Sequence, residues 1–251
     1  MIKKNDYEKE RFQGRLGEEY ALFSLACPHF DTLQETIKKE ITKKYESSEK
    51  EIIQVLEIGC GSGYTTKKIL SADKRITVLA IDNEQVMLSQ ANELLYSYVE
   101  NKKLKLIQGD ALNYLRELPS QSMNAVVSAF TLHNFRKEYR NKVLTEIYRI
   151  LTEEGLFING DKYALDNKFK HKQNLEWQLK QFEKKFSEIN RPDLISEWIK
   201  HYLEDDKSEV IMRESDSKKE LTKIGFKNIN LVYREKMEAV LIAIKKGGYK
   251  K

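Results

Sequence analysis

Short apolar runs alternate with amphipathic stretches through most of the chain, and this alternation is the feature that most constrains its fold. Seven runs, several of them rich in β-branched residues, are predicted to be strands: residues 52–58, 76–81, 104–107, 125–128, 156–158, 228–233 and 239–244. Amphipathic stretches at 61–71, 84–97, 111–117 and 137–151 separate the first five runs. Strand alternating with helix predicts a parallel sheet covered on both faces.

The last two runs break this alternation. Only residues 234–238 join them, which is too short a segment for a crossover helix, so these strands are predicted to pair antiparallel. The sequence therefore predicts an α/β fold in which a parallel sheet is closed by an antiparallel hairpin.

Two polar segments lie outside the strand pattern. Residues 1–48 look helical, and Pro28 is placed to open a helix along Leu33, Ile37 and Ile41. Residues 164–217 are predicted to be two helices divided near Pro192. We expect an N-terminal helical cap segment at 1–48, a core at 49–163 and 218–251, and a helical insertion at 164–217 that serves as a lid or substrate cap. We expect the core of that cap to consist of Trp177, Phe182, Phe186 and Trp198.

Composition and charge exclude several classes of protein. Two cysteines rule out a disulfide scaffold and a Cys-rich zinc module, and no group of histidines and carboxylates shows metal-ligand spacing, so no metal is expected. The apolar runs are far shorter than the roughly 20 residues that cross a bilayer. The N-terminus lacks the apolar stretch of a secretory signal, so a cytoplasmic protein is expected. The net charge of +5 is dispersed among interleaved lysines and glutamates, which favours a solvated surface over nucleic-acid binding.

The first predicted strand ends in a glycine-rich loop that contains Gly59, Cys60, Gly61 and Gly63. Glycines permit a tight turn and let a ligand approach the main chain, and the helix that follows presents free N–H groups. The third glycine comes one position too early for the dinucleotide pattern G-x-G-x-x-G, and Glu57 is foreign to that pattern. The loop thus disfavours a nicotinamide-dependent dehydrogenase.

The next two strands also end in carboxylates. Asp82 follows the second strand and is placed to accept hydrogen bonds from both hydroxyls of a ribose. Asp110 follows the third, where its side chain and the N–H of Ala111 can bind the amino edge of an adenine. Each aspartate could instead simply cap a helix. Together, the three strand ends predict a site for an adenosine-containing ligand.

Across residues 50–163 and 218–246 the chain resembles the class I S-adenosylmethionine-dependent methyltransferases, through its acid-x-Gly-x-Gly loop and the carboxylates Asp82 and Asp110. The resemblance implies a Rossmann-like, seven-stranded, mostly parallel sheet with a terminal antiparallel hairpin, helices on both faces and a helical cap. It also implies S-adenosyl-L-methionine as cofactor and S-adenosyl-L-homocysteine as product. Asn83 and Met87 would flank the adenosine, and Ala129 would lie by the sulfonium. The expected cofactor-binding residues are Phe30, Glu57, Gly59, Cys60, Gly61, Asp82, Asn83, Met87, Asp110, Ala111 and Ala129.

The chain is also similar to the carboxy-S-adenosylmethionine synthases, at residues 27–30, 81–83, 130–132 and 224–226. This likeness places Phe30 against the cofactor. Ala129 stands where the synthases carry an asparagine, and acids at 204–206 stand near their arginine, where they would repel a carboxylate. We therefore expect plain methyl transfer to a small-molecule acceptor by in-line displacement.

Methyl transfer requires an aligned acceptor, and a base helps when the acceptor is a hydroxyl or an ammonium group. His133, after the fourth strand, and Asp161, at the end of the fifth, are the predicted catalytic residues. The alternatives are a carboxy-S-adenosylmethionine synthase-like enzyme, an RNA-modifying methyltransferase and a non-catalytic cofactor-binding protein. We expect a monomer or a homodimer.

Overall fold

The computed structural model describes residue 17 and residues 19–247, and its centre is a seven-stranded sheet of order β3-β2-β1-β4-β5-β7-β6. The strands are β1 Ile53–Ile58, β2 Ile76–Asp82, β3 Leu104–Gln108, β4 Met123–Ala129, β5 Leu151–Lys162, β6 Phe226–Glu235 and β7 Glu238–Lys245. The first five strands pair parallel. Strand β7 pairs antiparallel with both β5 and β6, as the short connection before it predicts.

Ten α-helices lie in the described part of the chain. They are α1 Phe23–Ala26, α2 Phe30–Tyr45, α3 Tyr64–Leu70, α4 Gln85–Leu94, α5 Tyr96–Glu100, α6 Ala111–Glu117, α7 Lys137–Ile150, α8 Lys168–Glu188, α9 Pro192–Glu204 and α10 Glu214–Ile224. Short 3-10 turns occupy Tyr20–Leu22 and Leu132–Asn134. None of the helices described combines the length and the apolar character that a membrane crossing requires.

The sheet is buried on both faces because alternate residues of each strand point to opposite sides. In β1, Ile53 and Val55 join the core that contains α2, whereas Leu56 and Ile58 join the core that contains α7. Parallel strands covered by helices on both sides need this double burial. The predicted fold class, with its terminal antiparallel hairpin and helices on both faces, is confirmed.

Both segments predicted to form a cap contain helices. Helix α9 begins at Pro192, because proline suits the first turn of a helix, where its missing N–H would lack an intrahelical partner anyway. Phe182, Phe186 and Trp198 are buried as predicted, and the Trp198 ring stacks on Phe23 with 4.7 Å between ring centroids. Trp177 is only half-buried and stacks on a histidine, so it lies outside this core.

Parts of the predicted segments lie outside the described residues. These are residues 1–16 and 18 of the N-terminal cap segment and residues 248–251 of the core. The division of the chain into cap, core and insertion, and the role of the insertion as a lid, stay predictions.

Candidate functional site

The loop after β1 leaves open space above its main chain. Gly59, Gly61 and Gly63 have φ angles of 69°, 52° and 89°, a left-handed region that favours glycine. A Cβ at Gly59 would lie 2.2 Å from Oγ1 of Thr131, whereas a Cβ at Gly61 would meet no atom within 4 Å. The loop is therefore held tightly at Gly59, and its backbone is open to a ligand at Gly61.

Asp82 fixes this loop from the end of the neighbouring strand. Its Oδ2 accepts a hydrogen bond from the N–H of Gly61 at 2.8 Å, and its Oδ1 accepts one from the N–H of Glu84 at 2.9 Å. Burial raises the pKa of Asp82, and the backbone hydrogen bonds oppose that rise. Each carboxylate oxygen keeps a further acceptor site that a ligand hydroxyl can use.

Asp110, at the end of β3, is a helix cap and also faces the same open space. Its Oδ1 accepts a hydrogen bond from the N–H of Asn113 at 2.8 Å, which caps α6. Its Oδ2 accepts one from the hydroxyl of Tyr139 at 2.8 Å, and that hydroxyl accepts one from the N–H of Leu112. Tyr139 thus joins α7 to the start of α6 beside the residue predicted to contact an adenine.

These strand ends line one cleft of about 1200 Å³. Ten of the eleven residues predicted to bind the cofactor line it: Phe30, Gly59, Cys60, Gly61, Asp82, Asn83, Met87, Asp110, Ala111 and Ala129. The carboxyl ends of parallel strands meet at one edge of the sheet, which is why positions far apart in the chain converge here.

Glu57, the eleventh residue, lies beneath the loop and does not line the cleft. Its Oε2 accepts a hydrogen bond from Thr66 at 2.6 Å, but its Oε1 is buried without a hydrogen-bond partner. Burial raises the pKa of Glu57 to about 8, the charge of Asp82 adds to that rise, and the Thr66 hydrogen bond opposes it. The carboxyl group of Glu57 is therefore largely protonated at neutral pH.

An aromatic wall, which the sequence did not reveal, closes one part of the cleft. Phe30 stacks on Phe130 with the ring centroids 5.6 Å apart, and its ring meets Tyr64 edge to face at 5.9 Å. Tyr20 also lines the cleft. Tyr64 and Phe130 directly follow the glycine loop and β4, which is a local signal. Tyr20 enters only through the fold of the N-terminal segment, which no sequence pattern indicates.

His133 and Asp161 are brought together but do not line the cleft. Nδ1 of His133 lies 2.5 Å from Oδ1 of Asp161, and the two side chains are buried. Nε2 of His133 faces Oδ2 of Asp205 from α9 at 3.7 Å. The imidazole is therefore not exposed to the cleft. The catalytic role of the two residues stays a prediction.

His133, His201 and Asp205 form a group whose possible ligand atoms all lie within 4.8 Å of one another. His201 lies in the last turn of α9, and Asp205 is the C-cap residue four positions later, so the two lie on one side of the helix end. That spacing is a local signal for paired ligands that the sequence analysis missed.

The chain is similar to proteins of known family. A family model described as a methyltransferase domain matches residues 55–155, from β1 into β5. Over these residues the chain is similar to methyltransferase domains. The predicted resemblance to the class I S-adenosylmethionine-dependent methyltransferases is thus confirmed at the level of this domain and its sheet order.

The chain is also similar to curated proteins and to solved structures. The carboxy-S-adenosyl-L-methionine synthase of Shewanella sp. (strain ANA-3) is 31% identical over 118 residues, which are 45% of this chain and 46% of the relative. An O-methyltransferase family protein from Burkholderia thailandensis superposes with a TM-score of 0.65 at 10% identity, covering 96% of this chain and 63% of that one. Haemonchus contortus phosphoethanolamine N-methyltransferase 2 in complex with S-adenosyl-L-methionine superposes with a TM-score of 0.58 at 14% identity. The match covers 84% of this chain and 52% of that one. The chain spans about half the length of the curated relatives it matches, and the structural likenesses show the fold.

Proposed function

We propose that this chain transfers a methyl group from S-adenosyl-L-methionine to a small-molecule acceptor. The observation that carries the proposal is the convergence of the open backbone at Gly61 with Asp82 and Asp110 on one cleft. The matched methyltransferase domain supports it, as does the structural neighbour whose complex contains this cofactor.

The residues present fit the proposed cofactor. A Cβ would meet nothing within 4 Å at Gly61 or at Gly109, so main chain and ligand can come close at both strand ends. We propose that Asp82 accepts hydrogen bonds from the ribose hydroxyls, and that Asp110 with the N–H of Ala111 holds the adenine amino group. Asn83 and Met87 would then flank the adenosine, and Phe30, Gly59, Cys60 and Ala129 would surround the methionyl end. The cofactor supplies an electrophilic methyl group on a sulfonium that is already a good leaving group.

The chain itself would contribute alignment and the exclusion of water. A cleft of about 1200 Å³ exceeds the roughly 300–1,000 Å³ of ordinary small-ligand pockets, which leaves room for an acceptor beside the cofactor. Phe30, Tyr64 and Phe130 form an apolar wall that keeps bulk water from one side of that space. Holding both reactants in one geometry is the main physical contribution to a displacement of this kind.

A carboxy-S-adenosylmethionine synthase-like activity is the second candidate, because of the 31% identity with such a synthase. A carboxylated cofactor needs a cation near its sulfonium. In the described part of the chain, the lysines and arginines that line the cleft are Arg116, Arg136, Lys137 and Lys142, on or next to α6 and α7. Ala129 stands where the synthases carry an asparagine, and its methyl group cannot donate a hydrogen bond to a carboxylate, which favours methyl transfer.

The cofactor part of the proposal is tested by calorimetric titration with S-adenosylmethionine, S-adenosylhomocysteine and NAD. We expect binding of both sulfur compounds at one site and none of NAD. Asp82→Asn keeps the shape of the side chain and removes its charge, so it should weaken binding about tenfold or more. Asp216→Asn, at an exposed position on α10, is the matched control and should leave affinity unchanged. Binding of NAD with no response to the sulfur compounds would overturn the proposal.

The transfer step is tested with cofactor that carries a deuterated methyl group. The protein is incubated with sets of small hydroxyl, amine, thiol and enolate acceptors, and the products are detected by mass spectrometry. A mass gain of one labelled methyl group supports methyl transfer. A carboxylated sulfonium product, formed when a carboxyl-group donor is added to the same incubation, would support the second candidate.

A further inference from the structure

A buried group of metal-ligand side chains lies behind the cleft, between β4, β5 and the insertion. His201 and Asp205 come from one side of the C-terminal end of α9, where Asp205 is the C-cap residue, and His133 comes from the 3-10 turn that follows β4. Their relative exposures are 5%, 4% and 7%. One possible ligand atom from each lies within 4.8 Å of the other two. Two imidazoles and a carboxylate are a common donor set for zinc in proteins.

Asp161 orients His133 for such a role. Its Oδ1 lies 2.5 Å from Nδ1 of His133, and its Oδ2 accepts a hydrogen bond from the His133 backbone N–H at 3.3 Å. A carboxylate that holds one ring nitrogen fixes the tautomer and leaves the lone pair on the other. Metal-ligating histidines usually have this second contact. Here the other nitrogen, Nε2, faces Asp205.

Lys162 is compatible with a metal at this place. Its ammonium donates a hydrogen bond to Oδ2 of Asp205 at 3.1 Å and another to the backbone carbonyl of Tyr202 at 3.2 Å. Nε2 of His133 faces this same Oδ2, at 3.7 Å, so zinc would bind Asp205 through Oδ1 and leave Oδ2 to Lys162. Lys162 would then hold Asp205 in position, while the carboxylates of Asp161 and Asp205 would balance part of the positive charge of the metal.

We propose that His133, His201 and Asp205 bind one divalent zinc ion that fastens helix α9 to the turn after β4. Tetrahedral zinc with bonds of about 2.0–2.1 Å places its ligand atoms about 3.4 Å apart, so the ligand atoms, now within 4.8 Å of one another, need to approach by up to about 1.4 Å. The site is distinct from the cofactor cleft, since none of its three ligands lines that cleft. Zinc at Nε2 removes the lone pair that a general base needs, so this proposal and the predicted base role of His133 exclude each other.

The test is zinc binding to the purified full chain after chelator treatment, measured by competition with a chromophoric chelator. We expect one zinc ion per chain, a rise in the thermal unfolding midpoint on adding zinc, and a tetrahedral visible spectrum when cobalt replaces zinc. A folded wild-type chain that takes up no zinc in competition with a micromolar chelator overturns the proposal, whatever any variant does.

Substitutions of the proposed ligands test where the zinc ion binds. His201→Gln and Asp205→Asn should each weaken zinc binding about tenfold or more, because each removes a ligand. His171→Gln is the matched control. His171 is also a buried histidine of the insertion, and its Nε2 lies 2.9 Å from an oxygen of Asp206, but it is not in the cluster. Its substitution should change the affinity by less than about twofold. Zinc binding that both ligand variants retain at wild-type strength places the ion elsewhere and overturns the proposal.

Discussion

Glu57 allows a quantitative test of the buried layer beneath the glycine loop. The side chain is fully buried, and its pKa of about 8 lies far above the ordinary value of 4.5. Between pH 4.5 and 8 the folded chain therefore keeps a proton on Glu57 that the unfolded chain has lost. Stability falls with rising pH whenever the folded state binds more protons than the unfolded state. The free energy of unfolding must therefore fall over this window, because Glu57 ionises in the unfolded chain but not in the folded one.

The size of the effect follows from the shift. Each pKa unit corresponds to about 1.4 kcal/mol, so the shift from 4.5 to about 8 amounts to roughly 5 kcal/mol, fully expressed above pH 8. Glu57→Gln keeps an oxygen for the Thr66 hydrogen bond and cannot ionise. The variant should thus match the wild type near pH 4.5 and exceed its free energy of unfolding by several kcal/mol at pH 9.

The assay is urea unfolding of the cofactor-free chain from pH 4.5 to 9, followed by tryptophan fluorescence. The quantity of interest is the difference between variant and wild type, because other titrating groups largely cancel in it. Glu183→Gln, at an exposed position on α8, is the control and should give a flat difference. A Glu57→Gln difference that changes by less than about 1 kcal/mol across this range would refute the reasoning, since it would mean that Glu57 is hydrated or paired when folded.

Three further predictions concern the loop, the cofactor and the cap. Asp82→Ala should weaken binding of S-adenosylmethionine by about 1–3 kcal/mol in calorimetry, because the ribose loses a charged acceptor, and unchanged affinity in a folded variant would remove Asp82 from the site. Gly59→Ala should lower the free energy of unfolding by about 1–3 kcal/mol more than Gly61→Ala, since only the first Cβ collides with Thr131. Equal losses in urea titrations would contradict that contrast. Trp198→Ala should destabilise the chain by about 3–5 kcal/mol through the cavity it leaves, and an unaltered unfolding midpoint would show that the cap core does not support the fold.

The sheet could be predicted from the sequence because its signals are local. Each apolar run marks a strand, and the short segment before β7 dictates an antiparallel pairing. Boundaries were less accurate where polar residues continue a strand. Strand β5 runs over Leu151–Lys162, although only residues 156–158 form the apolar run, because pairing with β7 extends it through Asp161 and Lys162. The predicted helix at 84–97 is divided at Leu95, where α4 ends and α5 begins.

The candidate site was predictable where it is made of strand ends. Gly59, Asp82 and Asp110 converge because parallel strands present the same ends to one edge, and no long-range packing information is needed. The surroundings of His133 were not predictable in this way. They depend on how the end of α9 packs against the turn after β4. The sequence alone does not reveal that Asp205 faces the imidazole.

The contacts of Lys162 bear on how ligands enter and leave. Its ammonium is held by Asp205 and lies 3.8 Å from the ring centroid of Tyr202, and both of these partners belong to the insertion. Moving the insertion outward would take Asp205 away from this buried cation, and breaking a buried ion pair typically costs about 3–5 kcal/mol. These contacts therefore oppose an outward movement of the insertion. We expect ligands to enter and leave at the side of the cleft that α6 and α7 line. The width of that opening, and not the movement of a lid, would then determine which acceptors bind.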